Sequence, residues 1–144
     1  MYFEKLARQA CAKFIEYNTS MTLLRLQHLM CLLEIDVIIK TGAPLTNSPI
    51  VVTKQGIMLK NIDEGYLRDV PDDYGELSPD HIERIEHLWC CYDDPIPQSV
   101  LSLKMIHLSC LFTDTKKEYD YIDILRALWF HRRRDRRVSR GVRV

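Results

Sequence analysis

The sequence contains little glycine, and its glycines are scattered. The five glycines among 144 residues stand alone, whereas a loop that cradles phosphates needs several close together. We find no internal repeat, and the last fourteen residues are the only stretch of low complexity. The scattered glycines exclude a glycine-rich phosphate-binding loop.

Long uncharged apolar runs are also missing. The most apolar stretch, residues 23–39, is interrupted by Arg25, His28, Glu34 and Asp36, so we expect no membrane span. The N-terminus lacks the basic-then-apolar order of a signal peptide. The five cysteines are an odd number, which favours reduced thiols and a cytoplasmic location over a disulfide framework. Apolar residues form 47% of the chain, enough to exclude disorder of the whole chain.

The net charge is zero, but the charged residues are distributed unevenly along the chain. Residues 131–144 hold seven of the 20 basic residues and one of the 20 acidic residues, a net charge of +6, so the first 130 residues carry −6. We call residues 131–144 the basic tail. Its arginines, together with an aromatic residue just before them, are candidates to bind nucleic acid or a partner protein: Trp129, Arg132, Arg133, Arg134, Arg136, Arg137, Arg140 and Arg143. Arginine neutralises phosphates and tryptophan stacks on unpaired bases, but a solvated helix end is an equally ordinary explanation.

The acidic residues of the body are clustered as well. Five of them, which we call the acidic cluster, lie in segments rich in proline or glycine: Asp72, Asp73, Glu76, Asp93 and Asp94. Solvated loops account for such residues in most proteins, and a docking surface for a basic partner is the alternative. We expect them to steer a basic partner protein.

Hydrophobic periodicity predicts a mainly α fold. Apolar residues recur at i, i+3, i+4 and i+7 in several segments, which indicates a compact single-domain bundle of about six helices with a small β element near residues 50–54. We expect a helical domain over 1–130, followed by the tail. The segment from Leu23 to about Lys40 is apolar nearly all round and should be the central helix.

Several residues predict where the helices begin and end. Thr22 suits the N-cap of the central helix, and Gly42 suits its left-handed C-terminal end. Ser78 should begin a later helix, and Asp120 with Asp123 should form a reciprocal cap on the last one.

The order of these segments resembles that of the Panacea (SocA-like) antitoxin domain. The resemblance is carried by residues 12–15 (AKFI), 21–30 (MTLLRLQHLM) and 41–45 (TGAPL), and later by 77–80 (LSPD) and 97–101 (PQSVL). The most specific parts are the Leu-Gln pair within 21–30 and the Gly-x-Pro turn within 41–45.

The resemblance covers roughly residues 9–126 and leaves the tail outside. It implies a compact helical binding domain of a kind found in antitoxins, which neutralise a toxin by direct contact, and in phage-associated proteins. It also implies a step from a strand into a helix at Gln55-Gly56-Ile57-Met58, where Ile57 replaces the proline of the family. No catalytic residue is carried over.

Two pairs of histidine and cysteine are candidate metal-binding residues. His87 with Cys90 and His107 with Cys110 have helical i, i+3 spacing, and two such pairs offer the N and S ligands that zinc prefers. Helical phase places His107 and Cys110 with the apolar side of their helix, where cysteine is an ordinary core residue. We therefore expect no metal, no cofactor and no cysteine nucleophile.

These observations predict a non-enzymatic protein-binding module that neutralises a specific partner, a toxin or a host defence protein, by direct contact. One alternative is a phage-encoded, anti-CRISPR-like inhibitor of a host defence nuclease complex that uses the basic tail. A nucleic-acid-binding regulator acting through the same tail is another. No alternative involves a membrane.

Overall fold

The computed structural model describes residues 2–68, 75–92, 96–112 and 117–129. It confirms the prediction of a mainly α fold with about six helices and a small sheet. The elements are α1 (Tyr2–Tyr17), α2 (Leu23–Thr41), β1 (Ile50–Thr53), β2 (Gly56–Leu59), α3 (Gly65–Arg68), α4 (Pro79–Tyr92), α5 (Gln98–Leu108), a 3-10 turn (Ser109–Leu111) and α6 (residues 121–129). The predicted boundary between domain and tail lies outside the described residues.

Helix α2 forms the centre of the molecule. Its side chains at Leu26, Leu29 and Leu33 are completely buried, and α1, α4, α5 and β2 all pack against it. A helix that is apolar nearly all round is stable only when neighbours cover most of its surface, and these four elements provide that cover. No helix in the described part of the chain is long and apolar enough to cross a bilayer.

The predicted helix ends are confirmed. The hydroxyl of Thr22 accepts a hydrogen bond from the backbone N–H of Arg25 at 3.2 Å, and Gly42 ends α2 with a φ of 74°. The amides of Asp120 and Asp123 each donate to the other residue's carboxylate, at 3.1 and 2.9 Å. These contacts satisfy backbone groups that a helix end leaves without partners.

The segment after β1 differs from the prediction. Residues 56–59 form a second strand in an antiparallel hairpin, with Thr53 opposite Gly56 and Ile50 opposite Leu59, and not the strand-to-helix step that the resemblance implied. A two-residue turn suits a hairpin, and Gly56 adopts the positive φ of 104° that this corner needs. The side chains of β2 are buried because α2 and α5 both pack against this strand.

Candidate functional site

One side of α5 presents aliphatic side chains to solvent. Leu101 and Met105 are buried against the core, whereas Val100, Leu103 and Ile106 are 51%, 66% and 42% exposed. We call these three exposed residues the α5 face. Their spacing of three residues places them together on one side of the helix.

The prediction that His107 and Cys110 lie with the buried residues is wrong. Both side chains are exposed, beside the α5 face. Helix α5 is apolar on both sides, so its sequence did not reveal which side packs inward. The hairpin decides this, because the glycine at residue 56 lets the strand approach the backbone of Met105 closely.

A hydrogen-bonded cluster fixes the start of α5 against α2. Arg25 donates to the backbone oxygen of Ile96 at 2.6 Å and to the side-chain oxygen of Gln98 at 3.3 Å. The amide nitrogen of Gln98 lies 3.1 Å from Nδ1 of His28 and 3.0 Å from the hydroxyl of Ser102. The α5 face is therefore held in a fixed orientation.

His28 within this cluster is fully buried. Burial lowers the pKa of its imidazole from the ordinary value of 6.5, and the backbone of Gln55 opposes this change. An amide nitrogen can only donate, so the contact of the Gln98 nitrogen with Nδ1 requires a neutral ring that carries its proton on Nε2.

A polar cleft of about 530 Å³ lies between α1, the loop of residues 46–48 and the segment that follows β2. Its polar wall includes Arg8, Asn47, Ser48, Lys60 and Asn61. The guanidinium of Arg8 lies over the ring of Tyr66, 4.5 Å from its centroid. Burial raises the pKa of the Tyr66 hydroxyl, while the charge of Arg8 opposes the rise.

The loop at the cleft is held from beneath by Glu34. This carboxylate is 1% exposed and accepts hydrogen bonds from the backbone amides of Leu45 at 2.6 Å and Thr46 at 3.0 Å, and from the Thr46 hydroxyl. Burial raises the pKa of Glu34, and these hydrogen bonds oppose the rise. The loop that they anchor includes Asn47, the one described non-glycine residue with a positive φ, at 53°.

Most of the acidic cluster and the basic tail lie outside the described residues. They are Asp72, Asp73, Asp93, Asp94 and all seven tail arginines, so their predicted roles remain predictions. Glu76 is exposed, and its carboxylate pairs with Lys5 at 3.2 Å. Trp129, also predicted to bind a partner, is 59% exposed at the end of the described part of α6.

The cysteines do not form a metal centre with the described residues. All five are free, and no group of three or more candidate ligands occurs within the described ranges. Burial raises the pKa of the Cys11 and Cys31 thiols, which keeps them protonated. His87 contacts Cys91, at 3.7 Å between Nε2 and Sγ.

His28 and Glu34 were not among the residues predicted to be functional. Their position in the sequence was the signal that could have identified them, since each is a polar residue on a helix that is apolar nearly all round. The chain matches no protein-family model, no curated protein and no solved structure.

Proposed function

We propose that this protein is a non-catalytic, antitoxin-like binding module that neutralises a specific partner protein by direct contact. The observation that carries the proposal is the α5 face. Leucine that is 66% exposed between two further exposed aliphatic residues is typical of a surface that a partner covers. The partner contributes an apolar patch that packs on Leu103.

Three further observations support this proposal. The cluster of Arg25, Gln98 and His28 fixes α5 before any partner arrives, so little conformational entropy is lost on binding. The segments that resemble the Panacea antitoxin domain favour a function by direct contact. The five free cysteines favour action in the cytoplasm.

The first experiment identifies the partner. The tagged protein is purified from a bacterial host after nuclease treatment and at about 0.5 M salt, which screens contacts between exposed charges. A partner that remains in stoichiometric amount is then purified separately, and its dissociation constant and its own activity are measured with the protein added. Loss of that activity on binding is the expected result.

The variant Leu103→Asp tests the surface. We expect it to weaken partner binding at least about tenfold, because a carboxylate replaces the most exposed side chain of the α5 face. Ile39→Asp is the matched control, since Ile39 is 55% exposed but lies on α2. Normal binding by Leu103→Asp, with a normal melting temperature, would place the contact elsewhere.

The seven arginines of the basic tail favour a second candidate, binding to nucleic acid or to a nuclease complex. Truncation after Phe130 separates the two functions. Neutralisation through the α5 face should survive the truncation, whereas binding that depends on phosphate contacts should fall and should already be salt-sensitive in the full chain.

A further inference from the structure

We propose that the polar cleft beside α1 binds a small ligand bearing an oxyanion, with Arg8 and Lys60 facing the anion and Asn47 and Asn61 contacting its polar body. The cleft volume of about 530 Å³ lies within the range of about 300–1,000 Å³ that is usual for small-molecule sites. This site is independent of the proposed protein-binding function.

Two cations and two acids line the cleft, and both cations keep N–H groups that can bind an anion. The acids are partly occupied, because Glu4 accepts two bonds from Arg8 at 3.2 Å and Asp63 accepts one from the Gly65 amide at 2.9 Å, and their remaining lone pairs can accept from donors on the polar body of the ligand. The cations retain donors. A guanidinium has five N–H groups and an ammonium has three. Within the described residues, Arg8 donates two of its N–H groups. Lys60 donates one, to Glu118.

Two carboxamides add neutral polar groups to the same wall. The side chains of Asn47 and Asn61 make no hydrogen bond to the described part of the chain, and both are exposed in the cleft. Each offers a donor and an acceptor. They can therefore pair with an amide or a nucleobase edge while the cations neutralise the oxyanion.

The backbone conformation of Asn47 is strained. Its φ of 53° lies in the left-handed region, which asparagine tolerates better than most residues but which still carries strain. Beneath it, Glu34 is a buried carboxylate held by hydrogen bonds from Leu45 and Thr46. A strained residue in a loop that a buried side chain of the neighbouring helix anchors is typical of a segment that is fixed for binding.

Phosphate and carboxylate share the chemistry that this cleft recognises, so the probes distinguish them. Isothermal titration calorimetry compares adenosine 5′-monophosphate with adenosine, and acetyl-diglycine with its C-terminal amide, each up to about 10 mM, which detects millimolar affinity. We expect one anionic probe to bind at least tenfold more tightly than its neutral analogue. Equal binding of charged and neutral probes, or no binding by either anion, would overturn the proposal.

A pair of variants tests the role of Lys60. Lys60→Gln and Glu118→Gln remove the same ion pair, but only the first removes the cation from the cleft. We expect Lys60→Gln to weaken binding of the active probe about fivefold to tenfold, as for loss of one charge-assisted contact, while Glu118→Gln binds at least as tightly as the original protein. Equal weakening by both variants would assign Lys60 a structural role.

Asn47→Gly tests the carboxamide without adding strain. Glycine adopts a positive φ freely, so this variant should melt no lower than the original protein, yet bind the probe at least threefold more weakly. Unchanged affinity would show that the Asn47 side chain does not contact the ligand.

Discussion

His28 and Glu34 are two polar residues on the most buried helix, and each is held by a different neighbouring segment. Gln98 on α5 donates to His28, and the loop after α2 donates to Glu34. A buried polar group without such partners costs about 1–3 kcal/mol. Each residue therefore specifies how its neighbouring segment docks on α2, as well as contributing to stability.

His28 makes stability depend on pH. Its folded pKa lies below the ordinary value of 6.5, so at a pH below that value the unfolded chain binds a proton that the folded chain does not. The free energy of unfolding then falls as the pH falls. An unperturbed histidine titrates between about pH 7 and pH 5. Across this range we expect the free energy of unfolding to fall less for His28→Gln than for the original protein. Urea unfolding followed by circular dichroism measures both.

The difference in pH dependence between the original protein and His28→Gln isolates the contribution of His28 from that of the other titrating groups. The raised pKa of Glu34 acts with the opposite sign, because its contribution is lost as the pH rises through the folded pKa, and it is present in both proteins. His107→Gln, at an exposed position on α5, is the matched control. The same pH slope in the original protein and in His28→Gln would contradict the assignment.

At the scale of elements, the hairpin and α5 fit together through one glycine. A Cβ atom on Gly56 would lie 2.5 Å from the carbonyl carbon of Met105 and 2.7 Å from the amide nitrogen of Ile106. These are backbone atoms, so the clash is relieved only if the strand or the helix moves. This close approach turns Met105 inward and leaves Leu103 on the outer side of α5.

The variants Gly56→Ala and Gly42→Ala separate close packing from backbone strain. Both glycines have positive φ, but a Cβ on Gly42 would meet nothing within 4 Å. We expect Gly42→Ala to cost about 1 kcal/mol, from strain alone. Gly56→Ala should cost about 3 kcal/mol or more, since overpacking adds to strain. Urea unfolding measures both, and equal losses would show that α5 tolerates the added methyl group.

At the scale of the whole molecule, charge is divided between an acidic body and a basic tail. A body with a net charge of −6 attracts a basic partner over about one Debye length, roughly 8 Å at physiological salt. Such attraction mainly changes the association rate. If the proposed function holds, the acidic cluster acts before contact with the partner and the α5 face acts after it.

Neutralising four aspartates together tests this division of roles. We expect the combined variant Asp72→Asn, Asp73→Asn, Asp93→Asn and Asp94→Asn to bind the partner several-fold more slowly at low salt, with a flatter salt dependence and a dissociation rate that changes little. Stopped-flow or surface plasmon resonance measures these rates. The control changes the same total charge at four exposed glutamates elsewhere in the chain: Glu16→Gln, Glu83→Gln, Glu86→Gln and Glu118→Gln. Equal slowing by the control would show that only net charge matters.

The local pattern of residues determined the helices and their ends. Thr22, Gly42 and the reciprocal pair of Asp120 and Asp123 act through contacts within a few residues of each other, so sequence was sufficient to predict them. The same holds for the central place of α2, because a helix that is apolar nearly all round has no solvent-facing side to offer.

Only the tertiary structure decided which surfaces remain outside. Residues 57–59 are apolar, and a short apolar run fits a strand or a buried helix equally well, so the packing of α2 and α5 was needed to make them a strand. Helix α5 is apolar on both sides, and the contact at Gly56 selected the buried one. Arg8, Asn47 and Lys60 are far apart in the sequence and line one cleft because α1, the loop after α2 and the end of β2 converge there.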